Sequence, residues 1–242
     1  MTVPRLNTYG QPVGPAVENW TPRPLPSRAP LVGRTCRVES VDAGRHADDL
    51  FAAHFTAPDD RDWTYLPVER PTTEAAFAAH LADIAASPDP LHYAVIDTGL
   101  GKAVGTAALM RIDRVNGSIE VGFIRWSPLM QRRSAGTEAT YLMMRHAFDD
   151  LGYRRFEWKC DSLNARSRAA ALRYVFTFEG VFRNAAVVKG RSRDTAWFSI
   201  TSEEWPSVRA AFEDWLQPSN FDDTGRQHRT LADVRGQRLS HP

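Results

Sequence analysis

Apolar positions along the chain switch repeatedly between the spacing of a helix face and the alternation of a strand. Residues 34–41 predict a first strand, and Asp42 then caps a helix whose apolar face holds Leu50, Phe51 and Ala53. An aromatic loop follows, Asp62-Trp63-Thr64-Tyr65-Leu66-Pro67, and a second helix starts at Thr72 or Thr73 and runs through Phe77, Leu81 and Ile84 to Ser87-Pro88. Three strands come next, over 91–97, 102–112 and 118–126, and Asn116-Gly117 between apolar runs predicts a hairpin turn joining the last two. In 134–151, Thr140, Met143, Met144, Ala147, Phe148 and Leu151 fall on one helix face, which Asp149, Asp150 and Gly152 end. Residues 155–161 alternate strictly, with Phe156, Trp158 and Cys160 on one side and Arg155, Glu157, Lys159 and Asp161 on the other. A short helix over 164–174, a hairpin of 176–188 and 192–200, and a last helix over 203–216 complete the pattern. Helices interleave with strands in the middle while hairpins flank them, so the fold class is α/β (α+β) around a mixed sheet.

The two ends are different. Seven of the 16 prolines lie in the first thirty residues, a density incompatible with helix or central strand, so 1–33 read as a Pro-rich extended arm. Its Tyr9, Val13, Val17 and Trp20 suggest that it drapes over the domain of 34–205. Residues 206–242 read as the end of the last helix and a mobile or loosely docked tail.

Composition narrows the class without fixing it. The 242 residues are 43% hydrophobic and 24% charged, as in ordinary globular proteins, and no apolar run approaches the roughly 18 residues that cross a bilayer. With two cysteines, Cys36 and Cys160, and no charged, apolar leader at the N-terminus, a reducing cytoplasmic setting is expected. The seven histidines form no His-x-x-x-His pair and have no cysteine partner, so no metal site is expected. The net charge of +1 hides an asymmetry: between Arg125 and Arg193, 14 Lys or Arg stand against six acids. Such a stretch fits a phosphate-bearing ligand, a nucleic acid or a solvated face.

The chemistry gathers where the strand over 118–126 runs through Ser127 and Pro128 into Gln131-Arg132-Arg133-Ser134-Ala135-Gly136-Thr137. A strand that enters a helix through small residues presents free N–H groups and a positive dipole end, an anion site, and two guanidinium groups stand beside it. The order Gln131-x-x-Ser134-x-Gly136-Thr137-Glu138-Ala139, then Leu151-Gly152-Tyr153, then Asn164-x-x-Ser167-Arg168-x-Ala170 resembles the GNAT superfamily of CoA-dependent N-acetyltransferases. The branch it is most similar to holds the ribosomal-protein alanine and serine acetyltransferases and the spermidine acetyltransferases. Glu120-x-Gly122, Pro128, Phe178-Glu179-Gly180-x-Phe182-Arg183 and 190–195 match as well, so the resemblance spans about 33–205.

What the resemblance implies is a splayed sheet that takes acetyl-CoA between its fourth and fifth strands, near 121–126 and 156–160. Ile124, Trp126 and Ser127 would meet the pantetheine arm. The pyrophosphate would lie on Gln131, Arg132, Arg133, Ser134, Ala135, Gly136 and Thr137, and Asn164, Ser167 and Arg168 would also touch CoA. Glu120 matches the carboxylate that serves as general base, and simple alternation puts it on one strand face with Gly122, Ile124 and Trp126, opposite Val121 and Phe123. Its other reading is a strand-end carboxylate paired with an arginine. Two positions depart from the family pattern. Ser134 replaces the first Gly of the turn, which matters if that residue must be left-handed. Ala171 stands where many relatives have a Tyr acid, leaving Ser167 to hydrogen-bond the sulfur or a bridging water.

Trp63, Tyr65 and Leu66 occupy the loop that lines the acceptor site in this branch, or else pack the core. The expected partners are acetyl-CoA and an amine acceptor, small molecule or protein N-terminus, with no membrane, nucleic acid disfavoured and a homodimer left open. A catalytically silent CoA-binding or regulatory protein is the alternative that Ala171 and Ser134 motivate. A nucleic-acid module would need a groove-reading helix or an aromatic RNA motif, and the chain matches neither.

Overall fold

The structure, a computed structural model, describes residues 5–240. In chain order the elements are β1 (Arg5–Leu6), β2 (Pro12–Val13), β3 (Leu31–Val32), β4 (Cys36–Ser40), α1 (Ala43–Phe55), α2 (Glu74–Ala85), β5 (Leu91–Asp97), β6 (Lys102–Asp113), β7 (Ser118–Trp126), α3 (Ser134–Arg145), β8 (Arg155–Asp161), α4 (Ala165–Arg173), β9 (Thr177–Val188), β10 (Arg191–Thr201), α5 (Trp205–Trp215) and α6 (Leu231–Ser240). One sheet runs β3-β4-β5-β6-β7-β8-β10-β9. Neighbours in it are antiparallel except β7 and β8, which are parallel because α3 returns the chain to the same end of the sheet.

The helices start where short polar side chains satisfy first-turn N–H groups. Asp42 Oδ1 accepts from Arg45 N at 3.1 Å, Thr73 Oγ1 from Ala76 N at 3.2 Å, and Asn164 Oδ1 from Ser167 N at 3.1 Å. Alternation along the strands then divides the core in two. On one face, Leu50, Phe77 and Leu81 from α1 and α2 pack with Ala94, Ile96 and Ala103. On the other, Ala139, Leu142 and Met143 of α3, Val208 and Phe212 of α5, and Leu231 and Val234 of α6 share a core with Tyr93, Val95, Leu109 and Val121.

Several features depart from simple periodicity. After Arg145 the expected single helix continues as a π-helical turn, His146–Asp150. In β7 the register slips by one residue between the pairs Ala108↔Gly122 and Thr106↔Arg125, and Phe123 has φ of 48°. This bulge corrects the expected face assignment. Ile124 and Trp126 pack against the α3-side core with Val121, while Arg125 stacks over Trp63 at 4.3 Å on the other side. The left-handed residue of the following turn is Arg132, φ 62°, and Ser134 opens α3 in helical conformation, so the missing glycine is not needed there.

The arm forms the hairpin β1–β2, adds β3 to the sheet edge, and crosses the domain. Trp20 Nε1 donates to Val115 O at 2.7 Å, and Tyr153 Oη donates to Pro24 O at 3.0 Å. Trp20 covers Gly117, the left-handed residue of the β6–β7 turn, where a Cβ would stand 2.5 Å from the indole. The tail corrects the expectation of loose docking. Leu231 and Val234 are 1% and 0% exposed, and buried Asn220 donates to Trp215 O and Arg229 O at 3.0 and 3.2 Å. Among the described residues no helix is long and apolar enough to cross a membrane.

Candidate active site

The pairing of β7 with β8 begins at Ser118↔Arg155 and ends at Val121↔Trp158. Beyond that point β8 stays bonded to β10 as far as Asp161 and β7 to β6 as far as Trp126, so a wedge opens between them. The bulge at Phe123 lies at its apex. A cavity lies on either side of this wedge, and Ile124 lines one while Trp126 lines the other.

The first cavity, about 480 Å³, holds Glu120. Its carboxylate is buried, and Oε2 lies 3.0 Å from Lys159 Nζ and 3.2 Å from Arg111 Nε, ion-pair distances without hydrogen-bond alignment. Lys159 also lies 2.6 Å from Glu157 Oε2 and stacks on the Trp197 ring at 3.8 Å. Burial raises the Glu120 carboxyl above its ordinary value, and the neighbouring Lys159 and Arg111 oppose that shift. Oε1 takes no protein donor among the described residues. It sits over Gly122, whose Cβ, were there one, would stand 3.5 Å from it and 2.5 Å from Met110 Sδ.

Tyr65 and Leu66 line this cavity, with Tyr65 Oη donating to Leu163 O at 3.1 Å. Trp63 does not line it; it is 4% exposed and lies in the α1–α2 core under Arg125. Asn164 and Ser167 reach the cavity from the start of α4, where Ser167 Oγ accepts from Trp158 Nε1 at 3.0 Å. Arg168 does not line it and instead donates to Ser162 O at 3.2 Å. Cys160 lines the wall, and burial raises its thiol pKa, which disfavours the nucleophilic thiolate. Ala171 is fully buried, and Tyr174 lines the other cavity.

The second cavity, about 400 Å³, sits at the start of α3. No side chain caps that helix, so its first N–H groups face outward unsatisfied. Arg132, Arg133, Ser134, Gly136 and Thr137 line it, and Arg173 Nη1 donates to Thr137 Oγ1 at 2.9 Å. Ala135 is buried beneath, and Ser127 is fully buried with an unpartnered Oγ, so neither side chain lines a cavity. Gln131 likewise lines neither: its Nε2 donates to Trp126 O at 2.9 Å and so occupies a carbonyl expected to meet the pantetheine arm.

Sequence reasoning missed Lys159 and Arg111 at the first cavity and Arg173 and Arg226 in the lining of the second. The alternation of β8 did place Lys159 on the same face as Glu157, and that polar face signalled water where the fold puts a cavity. Among the described residues no group of three or more His, Cys, Asp or Glu side chains is gathered to hold a metal.

The wedge between two parallel strands thus has a helix N-terminus and arginines on one side and a buried carboxylate on the other. The family model of the acetyltransferase (GNAT) domain matches residues 40–177, more than half of the chain, which therefore belongs to the GNAT acetyltransferase family. The solved GCN5-related N-acetyltransferase from Brucella melitensis is 50% identical with a TM-score of 0.89, over 91% of this chain and 100% of that one. A GNAT-family structure from Chromobacterium violaceum ATCC 12472 is 38% identical with a TM-score of 0.74, over 81% of this chain and 98% of that one. A Bacillus subtilis (strain 168) protein bearing the name "Putative ribosomal N-acetyltransferase YdaF" is 29% identical over 114 residues, 46% of this chain. The match spans 61% of that relative's length.

Proposed function

We propose that the protein transfers the acetyl group of acetyl-CoA to a primary amine by direct attack, with Glu120 as general base. The observation that carries this reading is the parting of β7 from β8 after Val121↔Trp158, with Glu120 on one side and the uncapped start of α3 on the other. The residues fit the donor. Outward N–H groups and the guanidinium groups of Arg132 and Arg133 suit a pyrophosphate, and the unbonded backbone edge of 122–125 suits the amides of a pantetheine arm. When bound there, acetyl-CoA supplies an activated thioester carbonyl.

An ammonium acceptor must lose a proton before its nitrogen can attack. Glu120 takes that proton at Oε1, directly or through one water, because Oε2 is engaged by Lys159 and Arg111. The nitrogen forms its bond to the acetyl carbon, the carbon–sulfur bond breaks with its electron pair leaving on sulfur, and the proton that the nitrogen sheds on becoming an amide passes through water to the departing thiolate. Thiolate is a competent leaving group near neutral pH, with a thiol pKa of roughly 8.5, so the lack of a tyrosine at Ala171 does not block the step. Ser167, whose hydroxyl accepts from Trp158, keeps its own O–H free to donate toward the sulfur. Tyr65 and Leu66 shape the acceptor side, where Asp62, Glu120 and Asp161 alternate with Arg111, Lys159 and Arg193, and the acceptor is a primary amine of a small molecule or a protein N-terminus.

The test is amine-dependent thiol release as a function of pH for the wild type and Glu120→Gln. In the wild type kcat/KM rises with pH through an acid limb displaced upward from the ordinary carboxylate value of 4.5, since burial raises the Glu120 carboxyl. The variant loses the limb and about 100-fold or more in rate, the usual contribution of a positioned base. An unchanged profile removes Glu120 from that role.

A further inference from the structure

The wall of the donor cavity includes a segment that neither the sequence motifs nor the family match covers. Beyond α5 the chain turns back, and Phe221, Gly225, Arg226 and Gln227 face the start of α3 across the 400 Å³ cavity. This segment is fixed in place. Phe221 bridges Gln227 as a short antiparallel pair and packs edge-on against Trp215 with ring centroids 5.0 Å apart. Trp215 Nε1 donates to Gln227 Oε1 at 3.0 Å, and Asp222 Oδ1 accepts from Arg226 N at 2.9 Å, closing the loop on itself. Past it, Leu231 and Val234 enter the main core.

Charge then points to the ligand. Arg132, Arg133, Arg173 and Arg226 line the cavity from three separate stretches of chain, and no Asp or Glu lines it. None of the four guanidinium groups pairs with a carboxylate among the described residues, although this chain pairs many of its other arginines. Four like charges around one hollow repel each other unless a polyanion occupies it. Arg is also the side chain suited to forked contact with phosphate oxygens.

We propose that the C-terminal segment 221–227 is a donor-binding element: Arg226, with Arg173 opposite, holds the phosphorylated ADP end of acetyl-CoA against the start of α3. The proposal rests on the donor reading above. It adds that the chain beyond the family domain sets affinity for the nucleotide part of the donor and leaves the thioester end untouched. Binding energy from that remote part then positions the acetyl group without contacting it.

The experiment is isothermal titration of CoA into the full chain, wild type, Arg226→Gln, Arg226→Lys and Arg173→Gln, with pantetheine, which has no phosphate, as a second titrant. In parallel, acetyl transfer is measured from acetyl-CoA and from acetyl-pantetheine. Arg226 is exposed and its side chain holds no other element, so both of its variants fold; melting temperatures check this. Expected is a three- to fivefold weaker Kd for CoA in Arg226→Gln, about the strength of one exposed ion pair, with partial recovery in Arg226→Lys. Arg173→Gln also weakens CoA, and the loss in Arg226→Gln is confined to CoA and acetyl-CoA, with the acetyl-pantetheine reaction as the phosphate-free reference. Wild-type affinity for CoA in Arg226→Gln overturns the proposal, even where Arg173→Gln weakens binding, since the tail is then not a ligand. Equal losses for CoA and for the phosphate-free donor overturn it too. A wild-type chain that binds no CoA overturns the donor reading itself, which separates the two failures.

Discussion

Burial and pairing pull Glu120 in opposite directions, and the balance suits a base: the carboxyl stays above its ordinary pKa while two cations hold one oxygen and leave the other open. At two histidines burial and neighbouring charge act together instead, both disfavouring the charged form. His54 and His92 are 7% and 8% exposed, and burial with Arg125 nearby pushes their pKa values down to about 3 and about 4. Both are neutral in the fold at every physiological pH. In the unfolded chain they take up protons below the usual value of 6.5, so the unfolded state binds more protons as pH falls and stability declines from about 6.5 down to the folded values, about 4 for His92 and about 3 for His54. At about pH 5 each contributes a loss on the order of 2 kcal/mol. Urea unfolding at pH 7 and pH 5 checks this: His92→Gln is expected to narrow the difference between the two pH values. The same difference in the variant contradicts a buried neutral imidazole at that position.

At the scale of elements, α4 shows how a cap serves two purposes. Asn164 satisfies Ser167 N and by doing so sets the direction in which Ser167 enters the acceptor-side cavity. Asn164→Ala is expected to lower stability by about 1 kcal/mol in denaturant unfolding, with Asn164→Asp close to wild type. A variant as stable as wild type means that the α4 start is held by its packing. The cap residue Asp42, the start of α2 at Thr72 or Thr73 and the bounds of β5, β7 and β8 were legible in the sequence, since each follows from local chemistry or from alternation. The bulge at Phe123 was not. A one-residue slip leaves the composition of the strand unchanged, and its cause lies in the pairing with β6, far away in sequence. It reversed the faces of Ile124 and Trp126. The π turn after Arg145 was hidden for a similar reason, because its buried Ala147 and Phe148 fit an α-helical face equally well. Trp63 illustrates a third limit: an aromatic in a loop suits a ligand site and a core alike, and its burial among Leu50, Phe77 and Leu81, far apart in sequence, decides for the core.

For the whole molecule, the charge asymmetry found a physical location. Of the basic stretch between Arg125 and Arg193, only Arg132, Arg133 and Arg173 line the hollow at the start of α3, and Arg226 joins them from outside that stretch. Others are spent on pairs, such as Arg155 with Glu157 and Glu179 or Arg166 with Asp62. The motif pattern gave the turn of 131–137 and the splay, because those depend on contiguous residues. The closing wall could not be read, since a polar tail with Asp222, Asp223 and Gly225 carries no signal of the surface it will meet. Yet Leu231 and Val234 anchor it in the core, so the tail shares one core with the helices and strands around the wedge between β7 and β8. In the proposed reaction this wedge carries an acetyl group from a CoA thioester to an amine. Incubating the wild-type chain with acetyl-CoA labelled in the acetyl group and a panel of polyamines and N-terminal peptides, then following the label by mass spectrometry, checks that transfer. Expected is label transferred to the nitrogen of at least one amine, in step with free thiol; label that stays on CoA across the panel, while CoA binds the protein, contradicts transfer and leaves a CoA-binding protein without that reaction.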